Sequence, residues 1–235
     1  EGKKNMLING LVWMGEEHFM KSQIEEKLAQ GFSCIKLKIG AIDFEKELGL
    51  LRFIRQNFDA KTIEIRVDAN GAFASNEALS KLNQLHEFEL HSIEQPIKAN
   101  QIQEMKLLCQ QTPFPIALDE ELIGVFGIEK KRKLLEEIQP QYIILKPSLV
   151  GGFKGTLEWI AIAESLNIGW WITSALESNI GLNAITQFTF TLQNPLPQGL
   201  GTGGLYTNNF DCPLKIEKGR ITYNPNLGWD ISNLV

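Results

Sequence analysis

The segments SCIKLKIG (33–40), DFEKELGLLRFIRQNF (43–58) and TIEIRVDAN (62–70) form the unit that decides the fold. The first and third are short apolar runs that stop on charged residues, which is typical of strands buried on both faces. The middle segment has the pattern of an amphipathic helix, and Asp43 is placed to cap its N-terminus. This strand–helix–strand order predicts two parallel strands joined by a crossover helix.

The same unit repeats along most of the chain. The predicted strands cover residues 8–13, 33–40, 62–70, 90–96, 115–121, 141–150, 168–178 and 196–202, and the predicted helices cover 20–31, 43–58, 75–88, 100–112, 127–138, 153–167 and 180–193. This order favours a closed TIM-type (β/α)7β barrel over residues 1–213, with a doubly wound open sheet as the alternative. Residues 214–235 contain a turn at Lys218-Gly219 and are predicted to form an extended tail that packs outside the barrel.

Composition restricts the class of protein. The chain has 235 residues, of which 43% are hydrophobic, and its net charge of −5 makes nucleic acid or an anionic membrane surface an unexpected partner. No apolar run reaches the roughly 18 residues of a membrane-spanning helix. The three cysteines form no CxxC pair, which favours a reducing compartment, the cytoplasm. His18, His86 and His91 lack a metal-binding spacing and are expected on the surface or in loops, so any bound metal must have oxygen ligands.

Charged residues stand where five consecutive predicted strands end. They are Lys36, Lys38, Asp68, Glu94, Asp119 and Lys146. In parallel barrels these strand ends meet at one rim, where active sites lie. Residues two apart on a strand share a face, and we expect both lysines of the first pair to point inward, because the outward direction would bury two ammonium groups among apolar helices.

Three of these residues are carboxylates on neighbouring strand ends, which lie about 4.8 Å apart. Like charges so close repel each other unless a cation lies among them, and hard carboxylate oxygens suit Mg²⁺. Lys38 and Lys146 would then lie on opposite sides of the barrel. Any one of the residues could instead be a helix cap or a rim salt bridge, and it is the ordered set that predicts a magnesium site.

The motifs KLK (36–38), RVDAN (66–70), IEQP (93–96), ALDE (117–120) and LKP (145–147) resemble the barrel domain of the enolase superfamily, muconate-lactonising-enzyme subgroup. Within that subgroup, ITSALESNIGL (172–182) and GLGT (199–202) resemble the o-succinylbenzoate synthase family of menaquinone biosynthesis. The resemblance implies a hydro-lyase that carries out the syn dehydration of 2-succinyl-6-hydroxy-2,4-cyclohexadiene-1-carboxylate to 2-succinylbenzoate.

The resemblance also implies a role for each site residue. Asp68, Glu94 and Asp119 are expected to bind Mg²⁺. Lys38 is expected to act as general base and then as general acid, with Lys36 tuning it and Lys146 stabilising the enediolate. The residues expected to bind the substrate are Arg66, Asn70, Ser174, Gly201 and Thr202.

Members of this superfamily usually carry an N-terminal capping domain before the barrel. We expect such a domain here in addition to the 235 residues, and the tail at 214–230 resembles the segment that packs on it. The barrel alone is therefore expected to bind Mg²⁺ with weak or no turnover. The sequence leaves the oligomeric state open.

Two other functions fit parts of the pattern. N-succinylamino acid racemisation and dipeptide epimerisation would use the same two lysines, although GLGTGGLY (199–206) lacks the acidic pair that dipeptide epimerases usually carry after strand eight. An inactive barrel acting as a binding module is the third interpretation, and the intact set of acids and lysines argues against it.

Overall fold

Seven parallel strands in sequence order form the main sheet of the computed structural model, which describes residues 5–230 and 232. The seven strands are β2 (Gly10–Val12), β3 (Cys34–Lys38), β4 (Glu64–Asp68), β5 (Ser92–Glu94), β6 (Ile116–Leu118), β7 (Tyr142–Leu145) and β8 (Gly169–Ile172). A separate strand, β1 (Asn5–Leu7), precedes them in the chain. Each strand pairs with the next one along the chain. The parallel order predicted from the sequence is confirmed.

The connections between these strands are helical. The helices are α1 (Glu17–Ala29), α2 (Phe44–Asn57), α3 (Ser75–Leu85), α4 (Ile102–Gln111), α5 (Ile128–Ile138), α6 (Gly152–Ser165) and α7 (Asn179–Leu192). Asp43 caps α2 as predicted, because its Oδ1 accepts a hydrogen bond of 3.0 Å from the Glu45 amide. The outer helices bury their apolar faces against the sheet.

The predicted eighth strand is reduced to two residues that close the sheet into a barrel. On one side Gln198 pairs with the start of the first barrel strand, since the Asn9 amide donates to the Gln198 carbonyl at 3.0 Å. On the other side Gly199 continues the ladder past β8, since its amide donates to the Ile172 carbonyl at 2.8 Å. The closed TIM-type barrel is thus confirmed, and the open sheet is excluded.

The tail beyond residue 213 forms a hairpin. Strands β9 (Leu214–Glu217) and β10 (Arg220–Tyr223) are joined by Lys218 and Gly219, whose φ angles of 49° and 66° are those of a two-residue hairpin turn. The predicted turn is therefore confirmed. β10 pairs with β1, so the tail packs on the segment that leads into the barrel. Residues 1–4 of the predicted barrel and residues 231 and 233–235 of the predicted tail lie outside the described residues.

The rings of His91, Tyr142 and Trp171 pack against one another, close to the residues where β5 and β7 begin. His91 lies in a loop, as expected, but it is half-buried, with its ring centroid 5.0 Å from that of Tyr142 and 6.0 Å from that of Trp171. Burial lowers the pKa of His91, so the imidazole is kept neutral in this packing.

In the described part of the chain, helices of the length and apolar content needed to cross a bilayer are absent.

We predict that Gly199→Ala destabilises the protein, because the added Cβ would lie 2.1 Å from Thr173 Oγ1 and 2.6 Å from Thr173 Cβ. Overpacking of this kind lowers the free energy of unfolding by about 1–3 kcal/mol, which urea denaturation would measure. Gly49→Ala is the matched control, since a Cβ there meets nothing within 4 Å inside α2 and a helical alanine should stabilise. Wild-type stability in Gly199→Ala would show that this contact does not close the barrel.

Candidate active site

The carboxyl ends of five neighbouring strands carry the predicted charged residues to one rim. Lys38, Asp68 and Glu94 are the last residues of β3, β4 and β5 and lie opposite one another in register. Asp119 follows β6 directly, and Lys146 follows β7 directly. Because parallel strands end at the same edge, the barrel brings this set together.

Ion pairs connect the lysines to the carboxylates. Lys36 Nζ lies 2.8 Å from Asp68 Oδ2 and also contacts Glu94 Oε2. Lys38 Nζ lies 2.7 Å from the same Asp68 oxygen. Lys146 contacts Asp119 in the same way. The three carboxylic residues are at most 2% exposed, so their charges depend on these partners.

The surroundings shift the pKa values of these groups in opposite directions. Burial alone would raise the pKa of Asp68, but the neighbouring lysine ammonium groups outweigh it and hold that pKa well below its usual range. Burial and the nearby Asp68 charge raise the pKa of Glu94 well above its usual range. Burial would lower the pKa values of Lys36 and Lys146, yet the adjacent carboxylates raise both. These two lysines therefore stay positively charged at neutral pH.

A metal can be accommodated by the chemistry of the three acids. Across residues 5–230 and 232, no three acidic, histidine or cysteine side chains lie close enough together to form a ready metal site. The rim carboxylates are instead paired with lysine ammonium groups. Glu94 Oε1, however, is buried without a hydrogen-bond partner among the described residues. A buried carboxylate oxygen left unpaired is costly, and a hard cation is the ligand that such oxygens prefer. The donor set therefore fits Mg²⁺.

A cavity of about 290 Å³ opens above this rim. Lys38 and Lys146 both line it, and they reach it from barrel strands four apart in the closed ring of eight, which places them on opposite sides. Three of the predicted substrate-binding residues also line it, namely Ser174, Gly201 and Thr202. The hydroxyl groups of Ser174 and Thr202 are hydrogen-bonded to each other.

The other two predicted substrate-binding residues lie outside the cavity lining. Arg66 is 1% exposed and points into the barrel interior, where its guanidinium lies 4.2 Å from the Trp171 ring and donates to the Pro197 carbonyl at 2.9 Å. The structure does not bring Arg66 to the cavity, because it lies one inward-facing position below Asp68 on β4. Asn70 instead contacts the base candidate, since its Oδ1 accepts a hydrogen bond of 2.6 Å from Lys38 Nζ.

Eight cavity residues were missed by the sequence analysis, namely Asn9, Leu11, Trp13, Leu149, Thr173, Ala175, Leu176 and Gly199. Leu11 pairs with Lys36 in the register between β2 and β3, so the alternation of the first strand could have indicated it. Asn9 Oδ1 and Trp13 Nε1 are buried and have no hydrogen-bond partner within the described part of the protein. Two unpaired polar atoms therefore belong to residues of the cavity wall.

We predict that Asn9→Leu stabilises the protein but, in a longer protein that contains this barrel, lowers turnover of the substrate that the resemblance implies. Replacing a carboxamide whose oxygen is buried and unpaired by an apolar side chain of similar size removes a desolvation penalty of about 1 kcal/mol. Denaturant unfolding and a turnover assay would measure the two effects.

Thr186→Val is the matched control, because Thr186 Oγ1 is also buried and unpartnered among the described residues but does not line the cavity. It should stabilise the protein and leave turnover unchanged. Unchanged turnover in Asn9→Leu would remove Asn9 from the site.

Several known proteins are similar to this chain in sequence. The sequence model of the family described as "Enolase C-terminal domain-like" matches residues 20–232. The chain is 57% identical over 218 residues to the o-succinylbenzoate synthase of Desulfotalea psychrophila, which covers 93% of this chain and 59% of that protein. It is 35% identical over 159 residues to the N-succinylamino acid racemase of Thermus thermophilus, covering 67% of this chain and 40% of that protein.

Solved structures show the same barrel. The crystal structure of MenC from Desulfotalea psychrophila matches with a TM-score of 0.87 and 54% identity, covering 94% of this chain and 61% of that one. Muconate lactonizing enzyme from Pseudomonas putida matches with a TM-score of 0.85 at 24% identity, covering 99% and 66%, and this likeness concerns the fold alone. The chain therefore spans less than two thirds of the length of these relatives.

Proposed function

The chain belongs to the enolase C-terminal domain-like family, and from that membership we propose that it is the barrel of an o-succinylbenzoate synthase. The reaction would be the Mg²⁺-dependent syn dehydration of 2-succinyl-6-hydroxy-2,4-cyclohexadiene-1-carboxylate to 2-succinylbenzoate. Three free cysteines, Cys34, Cys109 and Cys212, are in keeping with a cytoplasmic enzyme of menaquinone biosynthesis.

One observation carries the proposal. Lys38 and Lys146 reach a single cavity from opposite sides of the barrel, and the buried acids of the rim lie directly beneath it. A planar ring bound between the two lysines would present one face to each of them. This is the arrangement needed to remove a proton next to a carboxylate and to stabilise the negative charge that results.

Each lysine has a separate role in this proposal. Lys38 removes the proton next to the substrate carboxylate and returns it to the departing hydroxyl on the same face, which leaves as water. Lys146 stays positively charged beside Asp119 and stabilises the enediolate as its charge develops. Lys36, whose pKa is raised by Asp68 and Glu94 against the opposing effect of burial, supplies a permanent positive charge next to the base.

Asp68, Glu94 and Asp119 would hold the metal. When bound there, Mg²⁺ supplies a positive charge that lowers the energy of a doubly negative carboxylate group. Asn70 contributes to orienting the base, since it accepts a hydrogen bond from Lys38 and donates another, of 2.8 Å, to Glu120. Loss of water produces an aromatic ring, so the second step needs little further assistance.

N-succinylamino acid racemisation is the second candidate function. It is favoured by the opposed lysines and by the 35% identity to the Thermus thermophilus racemase. Dipeptide epimerisation is less well supported, because residues 199–206 after the last barrel strand contain no acidic side chain to hold a substrate amine. The complete set of acids and lysines continues to argue against an inactive binding module.

We predict that Lys38→Ala, made in the longer protein proposed below to contain this barrel, abolishes both dehydration and exchange of the substrate α-proton with deuterated solvent. Loss of a general base lowers the rate by roughly 10²–10⁴-fold. Ultraviolet absorbance would follow the aromatic product, and mass spectrometry would follow deuterium. Lys61→Ala, at an exposed lysine, is the control and should behave as wild type. Normal exchange in Lys38→Ala would show that the base is misassigned.

The longer relatives also support a proposal about the rest of the protein. We propose that an N-terminal capping domain outside these 235 residues completes the cavity, since the chain covers 59% of the Desulfotalea psychrophila synthase. The exposed apolar residues Met14 and Phe19, near the rim, are 42% and 50% exposed and fit a surface of this kind.

The expected result is that residues 1–235 alone bind Mg²⁺ but turn substrate over weakly or not at all, because water is not excluded from the cavity. Turnover by this chain and by the longer protein that contains it would be compared in one assay. Full activity of the barrel alone would show that no further domain is needed.

A further inference from the structure

Gln95 occupies a place between the acid-bearing strands that the mechanism above does not use. It follows Glu94 directly, its side chain is 0% exposed, and its φ of 39° lies in the left-handed region. We infer that Gln95 is a positioning residue that holds the ends of β4, β5 and β6 in register, so that the three acids present their oxygens to one cation. This inference rests on the proposed function.

The side-chain amide of Gln95 uses all of its hydrogen-bonding capacity. Its Oε1 accepts from the backbone amides of Asp119, at 3.2 Å, and Glu121, at 3.3 Å. Its Nε2 donates to the Ile97 carbonyl at 3.0 Å and to Glu121 Oε2 at 3.2 Å. The oxygen therefore holds the backbone around Asp119 after β6. The nitrogen joins Glu121, in the turn that follows Asp119, to Ile97 in the loop after β5.

The backbone of Gln95 makes the connection to the strands on both sides. Its amide donates to the Ala117 carbonyl of β6 at 2.9 Å, and its carbonyl accepts from the Gly71 amide at 2.7 Å. Gly71 follows β4 three residues after Asp68, and a Cβ there would lie 2.9 Å from Lys98 Cα. Gln95 thus bonds to the segments that carry Asp68 and Asp119, and it is the chain neighbour of Glu94.

Only a side chain with two donors and an acceptor at this length satisfies all four contacts. A left-handed backbone at a residue other than glycine is strained, and it persists only where the surroundings over-determine it. Partners that orient metal-binding side chains from outside the ligand set contribute about 10- to 100-fold to metal affinity. A role in positioning therefore predicts a loss of Mg²⁺ affinity that a role in folding alone does not.

Gln141, which precedes β7, provides a matched comparison because it contacts the opposite end of β6. Its Oε1 accepts from the Ile116 amide at 2.9 Å, and its Nε2 donates to the Cys109 carbonyl at 3.2 Å. It connects β6 to its neighbours as Gln95 does, but at the end of the barrel away from the rim. Replacing Gln141 tests the effect of losing such a connection without disturbing the acids.

The experiment compares Gln95→Met, Gln95→Asn and Gln141→Met with the wild type of the same chain. Asparagine tolerates a positive φ but is one methylene too short to reach both segments, so this variant should fold even if Gln95→Met does not. Mg²⁺ binding is measured by titration calorimetry with magnesium chloride alone. Exchange of the Asp119 and Glu121 amides with deuterated water is measured without metal.

Both Gln95 variants should bind Mg²⁺ about 10- to 100-fold more weakly and exchange the two amides faster, whereas Gln141→Met should keep wild-type affinity. The inference is overturned if the Gln95 variants bind Mg²⁺ as wild type does, or if Gln141→Met loses the same affinity. If the wild type does not bind Mg²⁺, the proposed function is wrong. The inference about Gln95 is then judged by amide exchange alone, and it is overturned if the Gln95 variants exchange the Asp119 and Glu121 amides at the wild-type rate.

Discussion

The contact between the Lys36 ammonium group and the carboxylates of Asp68 and Glu94 is the interaction on which the site depends. All three side chains lie inside the barrel rim, where an unpaired charge would be costly. A single ammonium group between two acids on adjacent strands lets both acids remain buried. The same contact holds β3, β4 and β5 at the height where their other charged groups meet the cavity.

The rim is a set of alternating charges rather than a cluster of one sign. Lys146 pairs with Asp119 on the far side as Lys36 and Lys38 pair with Asp68 on the near side. This arrangement satisfies most of the buried charges within the protein itself. The oxygen of Glu94 that remains without a partner among the described residues identifies where a further cation would be bound most favourably.

The similar proteins bear on the fold and on the reaction to different extents. The barrel is common to proteins with different reactions, because the likeness to muconate lactonizing enzyme is one of fold at 24% identity. Identity of 57% to a single synthase narrows the choice of reaction, although the comparison covers 59% of that protein. The lysines and acids suit proton abstraction in general, and the selection of one substrate depends on the walls of the cavity.

The sequence by itself determined the order of strands and helices, the rim on which the charges meet, and the sides from which Lys38 and Lys146 approach. These features follow from periodicity and from residues at strand ends, which are local properties of the chain. Tertiary structure alone decided that the last barrel strand is reduced to Gln198 and Gly199. It also decided that Arg66 turns toward Trp171 instead of the cavity, and that Asn9 and Trp13 line the cavity. Such features arise from contacts between residues far apart in the chain, and no local pattern encodes the partner that a buried side chain meets.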